Sequence, residues 1–267
     1  MQTWTKAKNN HEFWHQIAAA PGLLLMFDYD GTLAPFTTER DKAWPYAGVR
    51  EALRTLVSLP DIHVAIVTGR TCAEIPSLLG LDADVEIWGC HGGERKSAGG
   101  SCHKADLSPD LTALIESAYN KAAALIAPEN IERKPFSVAV HVRSLQESRR
   151  KATLQAVCSA WASLPGYLTA ELLPFACGLE LRVAGYSKAR AVTALLQEHP
   201  QAAAFYVGDD KTDEDAFSAL IPFLQQGVPG AAVLAAVKPD VESAAQWILS
   251  PPQELLEFLA FLAAARS

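Results

Sequence analysis

Solid apolar runs alternate with helix-spaced apolar positions through the first part of the chain. Leu23 to Phe27 is uninterrupted apolar, the pattern of a strand buried on both faces. Val49, Leu53, Leu56 and Val57 then recur at helical spacing between Val49 and Leu59, and a second apolar run, His63 to Val67, follows. Val85 to Trp88 reads as a third strand. Strand, helix, strand is the pattern of a parallel sheet with crossovers, in which ligands sit beyond the carboxyl ends of the strands. The C-terminal part repeats it: a helix from about Ser187 to Glu198, a strand Ala203 to Val207, a helix after Asp213, the short run Val233 to Val237 and a last helix.

Between these parts the pattern changes. Helical segments near Leu111 to Ile126 and Glu147 to Trp161 are each followed by strand-like stretches, Phe136 to Arg143, Gly166 to Leu173 and Leu179 to Val183. The expected fold class is therefore α/β: a Rossmann-like core with a parallel sheet, made of residues 1–103 and 184–267, and an inserted α+β module with an antiparallel sheet at 104–183. The Gly-rich stretch Ser97 to Ser101 and the segment Ala184 to Ser187 are the expected hinges.

With 267 residues, 49% of them hydrophobic and 20% charged, the chain can bury a full core, which excludes a disordered tail or a disulfide-held miniprotein. Its 23 basic and 30 acidic side chains give a net charge of −7, which opposes a general nucleic-acid partner. Five cysteines (Cys72, Cys90, Cys102, Cys158, Cys177) without CxxC spacing suggest neither a disulfide framework nor a zinc site, and read as reduced thiols. The run Leu23 to Phe27 ends at Asp28 without a cleavage pattern, and no run approaches the ~18 apolar residues that span a bilayer. The expectation is a cytoplasmic monomer with no membrane partner.

Candidate chemistry gathers at the strand ends. Asp28-Tyr29-Asp30-Gly31-Thr32-Leu33 follows the first strand directly, and alternation puts Asp28 and Asp30 on one side, with Gly31 permitting a tight turn. Convergent carboxylates repel unless a cation lies between them, and oxygen-only donors suit Mg²⁺. A solvated, Asp-rich capping turn is the plainer alternative. Thr68-Gly69-Arg70 ends the second strand, where a hydroxyl and open backbone N–H groups make an anion site or simply a turn. Lys188 opens a later helix and alone would be a surface lysine. Gly208 to Asp215 packs five acids into eight residues, either around a cation or as helix N-terminal charges.

In order, Asp28-x-Asp30, Thr68, Lys188 and Gly208-Asp209-Asp210 resemble the four motifs of the haloacid dehalogenase (HAD) superfamily of phosphohydrolases. Longer strings are similar to the trehalose-6-phosphate phosphatase family within it: Gly89-Cys90-His91-Gly92-Gly93-Glu94, Phe136 to Arg143, and Gly208 to Phe217. Two positions depart from that pattern, Val183 where Pro is common and Ala189 where Gly is common.

The resemblance implies a HAD core with an inserted cap and a small-molecule sugar phosphate as substrate. Asp28 is the implied nucleophile and Asp30 the acid and base, with Thr68 and Lys188 on the phosphoryl oxygens. Mg²⁺ is expected on Asp28, the carbonyl of Asp30 and Asp209, with Asp210 and Asp213 beside it or acting through water. Gly69 and Arg70 join the implied substrate site. His91 and Glu94 are implied contacts of a first sugar ring, and Lys134, Ser137, His141, Arg143 and Glu180 of a second. In Phe136 to Arg143, alternation leaves Ser137, Ala139, His141 and Arg143 on one polar face, which also describes an ordinary half-exposed sheet. The expected activity is hydrolysis of trehalose 6-phosphate through an aspartyl-phosphate. Alternatives are another glycosyl phosphate, such as sucrose phosphate or mannosylglycerate phosphate, and a phospho-acceptor or sugar-phosphate sensor without turnover. Asp30 argues against the sensor, since a receiver needs no acid two residues after its acceptor.

Overall fold

The computed structural model of the chain describes residues 1–37, 39–81, 85–175, 177–237 and 242–266. The backbone falls into two compact units, residues 1–103 with 187–267, and residues 104–186.

Along the chain the strands are β1 (Gln2–Thr3), β2 (Leu23–Phe27), β3 (Ile62–Val67), β4 (Glu86–Gly89), β5 (Glu94–Lys96) and β6 (Cys102–Lys104), then β7 (Ile131–Arg133), β8 (Ser137–His141), β9 (Ala170–Phe175) and β10 (Gly178–Val183), and finally β11 (Ala203–Gly208), β12 (Gly230–Ala235) and β13 (Trp247–Leu249). The first unit holds one sheet in the order β1-β13-β12-β11-β2-β3-β4-β5-β6. Pairing is parallel from β1 to β4 across that order and antiparallel between β4 and β5.

Strand β2 shows why the sheet is covered on both sides. Leu23, Leu25 and Phe27 pack into one core cluster with Val64, Ile66, Phe205 and Val207. Leu24 and Met26 pack into another with Ala65, Val67, Ala204 and Tyr206. A strand with five apolar residues in a row has no polar face to offer water, so each face takes its own helices. The chain runs outward from β2 to β3 and β4 on one side, then returns to β11 and β12 on the other. The order thus reverses at β2, and the crevice beyond its carboxyl end is the place such sheets offer a ligand.

Antiparallel extension of the sheet by β5, with β6 beside it, was not expected from the sequence. Ser97 to Ser101, read there as a hinge, joins β5 to β6 within this extension, and the first unit continues to His103. The short strands β1, at the sheet edge, and β13 beside it were likewise not legible as strands, having too few residues for a period-two pattern.

The second unit is an antiparallel sheet, β7-β8-β10-β9, with the helices Pro109–Ala123 and Glu147–Ala162. Val138, Val140 and Val142 share a core with Leu179, Leu181, Val183, Leu114, Ile115 and Trp161. Alternation then leaves Ser137, Ala139 and His141 of β8 beside Glu180 and Arg182 of β10 on the other face, in the register Glu180 opposite Ala139 and Arg182 opposite Ser137. Among the described residues no helix is long and apolar enough to cross a membrane.

Candidate active site

Four segments bring polar groups to the carboxyl end of the parallel strands. Asp28 directly follows β2, and its N–H donates to Val207 O of β11 at 2.8 Å, so the side chain leaves the sheet at a fixed point. Asp209 follows β11. Lys188 is the first residue of the helix Lys188–Glu198, and Asp213 the first of the helix Asp213–Gln225. Asp28, Lys188 and Asp213 are all buried.

Lys188 Nζ lies 2.7 Å from Asp28 Oδ1 and 2.7 Å from Asp213 Oδ1. Asp213 also accepts Tyr206 Oη on Oδ1 at 2.5 Å, and on Oδ2 the N–H groups of Asp209 at 3.0 Å and Asp210 at 3.1 Å. Both of its oxygens are thereby engaged, which makes Asp213 the anchor of Lys188 and of the 209–210 turn. Gly208 is part of the same device, because a Cβ there would stand 2.2 Å from Asp213 Cγ. Asp210 closes a local turn, with Oδ1 accepting Thr212 N at 2.8 Å and Thr212 Oγ1 at 2.7 Å.

Asp28, Asp209 and Asp213 each offer a carboxylate oxygen within 4.8 Å of the others. Burial pushes Asp28 up to about 8 against the pull of Lys188, with Asp213 and Asp210 adding to the rise. Burial and the charge of Asp28 push Asp209 up to about 10. Burial opposes the charge on Lys188 too, yet Asp213 and Asp28 outweigh it and hold the ammonium well above its ordinary value. Carboxylates in surplus over one buried ammonium are the environment that a divalent cation neutralises. With Asp213 saturated by protein donors, Asp28 and Asp209 are the oxygen donors that suit a hard ion, and the donor set fits one. Gly31 lets Asp209 come in: its φ is +87°, and a Cβ on it would sit 2.2 Å from Asp209 Oδ2.

Asp30 does not join this cluster. Its carboxylate is held by Arg70, Nε to Oδ2 at 2.6 Å and Nη2 to Oδ1 at 2.6 Å, while Arg70 Nη1 donates to Arg40 O at 2.8 Å. The same-side convergence expected from strand alternation fails because β2 ends at Phe27 and the chain turns at once, Gly31 N donating to Ala34 O. Thr68 Oγ1 accepts Arg70 N at 3.1 Å and so shapes the turn that aims the guanidinium.

The loop after β4 is knitted to that turn. His91 N donates to Thr68 O at 2.9 Å and Cys90 N to Arg70 O at 2.7 Å. Cys90 and His91 both have positive φ, 49° and 54°, a costly conformation for residues with a Cβ and one that clusters at functional sites. Gly69 is needed here for a reason the sequence did not disclose: a Cβ would stand 2.6 Å from His91 Nε2. Glu94, at the start of β5, is buried and accepts Cys72 N on Oε2 at 2.8 Å.

In the second unit, Ser137 Oγ donates to Glu180 Oε1 at 2.5 Å, and Lys134 Nζ lies 3.7 Å from the same oxygen. His141 Nε2 is 3.1 Å from Glu132 Oε2, and Lys134 Nζ is 3.7 Å from Glu132 Oε1. Four of the five expected residues of this unit thus form one polar group with Glu132. The fifth, Arg143, is exposed, and its carbonyl accepts Arg150 Nη2 at 2.9 Å. Sequence reading missed Glu132, Arg40 and Tyr206. A tyrosine inside the otherwise apolar strand 203–207 was the signal available for the last of these.

A family model described as trehalose-phosphatase matches residues 26–253. The chain belongs to the trehalose-phosphatase family. A trehalose-phosphate phosphatase of Mycobacterium tuberculosis (strain ATCC 25618 / H37Rv) is 30% identical over 248 residues, covering 88% of this chain and 59% of the relative. A probable trehalose-phosphate phosphatase 4 of Oryza sativa subsp. japonica is 28% identical over 248 residues, covering 89% of this chain and 65% of its own length. The chain thus spans about 59% of the length of the Mycobacterium tuberculosis and Mycobacterium bovis relatives it matches. The fold is shared with the C-terminal domain of a C. albicans trehalose-6-phosphate phosphatase, with a TM-score of 0.80, 22% identity, and coverage of 96% of this chain and 97% of that one. A haloacid dehalogenase-like hydrolase from Bacteroides thetaiotaomicron has the same fold at a TM-score of 0.64, with 14% identity and coverage of 90% and 98%. These likenesses agree with a Rossmann-like core carrying a second, antiparallel unit. The trehalose-phosphatase family implies a divalent metal, and the buried carboxylates fit one.

Proposed function

We propose that this chain is a Mg²⁺-dependent phosphatase that hydrolyses trehalose 6-phosphate to trehalose and inorganic phosphate. The observation that supports this most is Asp28: a buried carboxylate at the strand-order reversal, 2.7 Å from Lys188 Nζ, in a chain of the trehalose-phosphatase family. Asp28 attacks the phosphorus and the sugar oxygen departs, forming an aspartyl-phosphate. Asp30 gives that oxygen a proton, then takes one from the water that releases phosphate. Lys188 and Thr68 bind the phosphoryl oxygens, and Lys188 offsets repulsion between Asp28 and the incoming dianion.

Asp28, Asp209 and the carbonyl of Asp30 would hold the metal, which supplies charge neutralisation at the phosphoryl group. Asp213 acts through Lys188 and the 209–210 turn, and Asp210 through Thr212. Gly69 and Arg70 shape the substrate site, His91 and Glu94 serve a sugar ring in the core unit, and Lys134, Ser137, His141, Arg143 and Glu180 serve a ring in the inserted unit. The substrate is a small molecule, and the protein acts as a monomer.

The test is phosphate release from trehalose 6-phosphate by the whole chain with Mg²⁺, with chelator, and as Asp28→Asn. Turnover only in the first supports the reading. Turnover by Asp28→Asn overturns it.

A further inference from the structure

Apart from the aspartate cluster, three donor atoms from three segments of the first unit meet. Cys72 Sγ lies in the turn after β3, a carboxylate oxygen of Glu94 at the start of β5, and Cys102 Sγ at the start of β6, all within 4.8 Å of one another. Cys72 and Glu94 are buried, and Cys102 is exposed. The two buried donors are held in place by backbone: Cys72 N donates to Glu94 Oε2 at 2.8 Å, and Cys72 Sγ to Ile87 O at 3.4 Å. A Cβ on Gly89 would stand 2.6 Å from Cys72 N, so β4 presses directly on this turn. Among the described residues Glu94 makes no ion pair, and its Oε2 is engaged by Cys72 N.

The chemistry of these donors selects an ion. Two sulfurs and one carboxylate suit a borderline-soft divalent cation, whereas Mg²⁺ takes oxygen. Tetrahedral zinc places two sulfurs about 3.8 Å apart, given a Zn–S bond near 2.3 Å. The donor atoms already lie within 4.8 Å of one another, the scale of such a spacing.

We propose that Cys72, Glu94 and Cys102 form a second metal site, separate from the aspartate cluster, which takes one thiophilic divalent ion of the Zn²⁺ class with water at the remaining position; Glu94 is then a ligand of this ion rather than a contact of the sugar ring. Cys102 is the entry side, being the exposed donor. Binding releases the thiol protons and ties the turn after β3 to β5 and β6. Two residues before Cys72 stands Arg70, so the ion also fixes the turn that holds Asp30.

The test uses the whole chain, reduced, stripped with chelator and then saturated with Mg²⁺. Zn²⁺ is titrated by calorimetry, and Co²⁺ by absorbance as a reporter of thiolate ligation. The expected result is one Zn²⁺ per chain in the presence of excess Mg²⁺, and a Co²⁺–thiolate charge-transfer band. Cys102→Ser, a change at an exposed position, should weaken Zn²⁺ binding about tenfold or more and diminish the band, with the fold checked by circular dichroism. Cys158→Ser, in the other unit, should leave both unchanged. Zn²⁺ affinity unaltered by Cys102→Ser, absence of the thiolate band, or Zn²⁺ binding lost in Asp209→Asn instead would overturn the proposal. So would loss of two free thiols on treatment with hydrogen peroxide in a protein that binds no Zn²⁺, since the cysteines would then be a disulfide-forming pair.

Discussion

Arg70 grips Asp30 with two parallel hydrogen bonds, each 2.6 Å, from a guanidinium that is itself buried. A planar fork matches a carboxylate in a way an ammonium does not. The geometry fixes where the proposed acid and base waits, and Arg40 O holds the guanidinium from behind.

Arg70→Lys keeps the charge and loses the fork. Misplacing a reacting group by about 1 Å costs on the order of 100-fold, so kcat for phosphate release should fall by about that factor while KM changes little. Losing hydrogen bonds to a charged group should also cost about 1–3 kcal/mol of stability by urea unfolding. An unchanged kcat would show that the Arg70 fork does not position Asp30 for the reaction.

Asp213 and Asp210 are neighbours in sequence with unequal tasks. Asp213 is fully buried and takes Lys188, Tyr206 and two backbone N–H groups, whereas Asp210 closes a local turn with Thr212. Asp213→Ala leaves Lys188 short of a buried partner and should destabilise by about 3–5 kcal/mol. Asp210→Ala should cost roughly 1 kcal/mol, the scale of one capping interaction. Urea midpoints for the two variants decide this, and equal losses would contradict it.

Gly69→Ala places a methyl group 2.6 Å from His91 Nε2. The ring must yield, because the backbone on both sides is fixed by the hydrogen bonds of Cys90 and His91 to the 68–70 turn. The expected variant is folded with KM for trehalose 6-phosphate raised several-fold and kcat less affected. A shifted His91 resonance in NMR should accompany it. Wild-type KM would show that His91 has no part in holding substrate.

The aspartates make stability depend on pH in a stated direction. In the folded protein Asp28 titrates at about 8 and Asp209 at about 10, against 3.8 for an ordinary aspartate. Between about pH 4 and about pH 8 the unfolded chain has released these protons and the folded chain still binds them, so chelated protein loses stability as pH rises. Urea midpoints in chelator should therefore fall from about pH 5 to about pH 8, and Mg²⁺ should stabilise more at the upper end of that window. Metal-free protein that gains stability over the same range would contradict this.

Strand placement was legible because β2, β3 and β11 are continuous apolar runs ending in polar motifs, which a two-sided parallel sheet demands. That polar side chains gather at those strand ends was legible for the same reason. Their partnerships were not. Nothing in Thr68-Gly69-Arg70 says that Arg70 reaches forty residues back to Asp30, since that pairing arises only when β2 and β3 lie side by side. Taken alone, Lys188 reads as a surface residue because lysines are seldom buried, and its burial follows from Asp28 and Asp213 closing on it from two other segments. The extension by β5 and β6 was hidden because three-residue strands carry too little pattern.

The proposed activity on trehalose 6-phosphate requires that the disaccharide be preferred over the monosaccharide. The most direct measurement is kcat/KM for phosphate release from trehalose 6-phosphate, sucrose 6-phosphate and glucose 6-phosphate, with Mg²⁺ present and the whole chain as enzyme. The expected result is trehalose 6-phosphate well ahead of both others. Equal values for trehalose 6-phosphate and glucose 6-phosphate would contradict it.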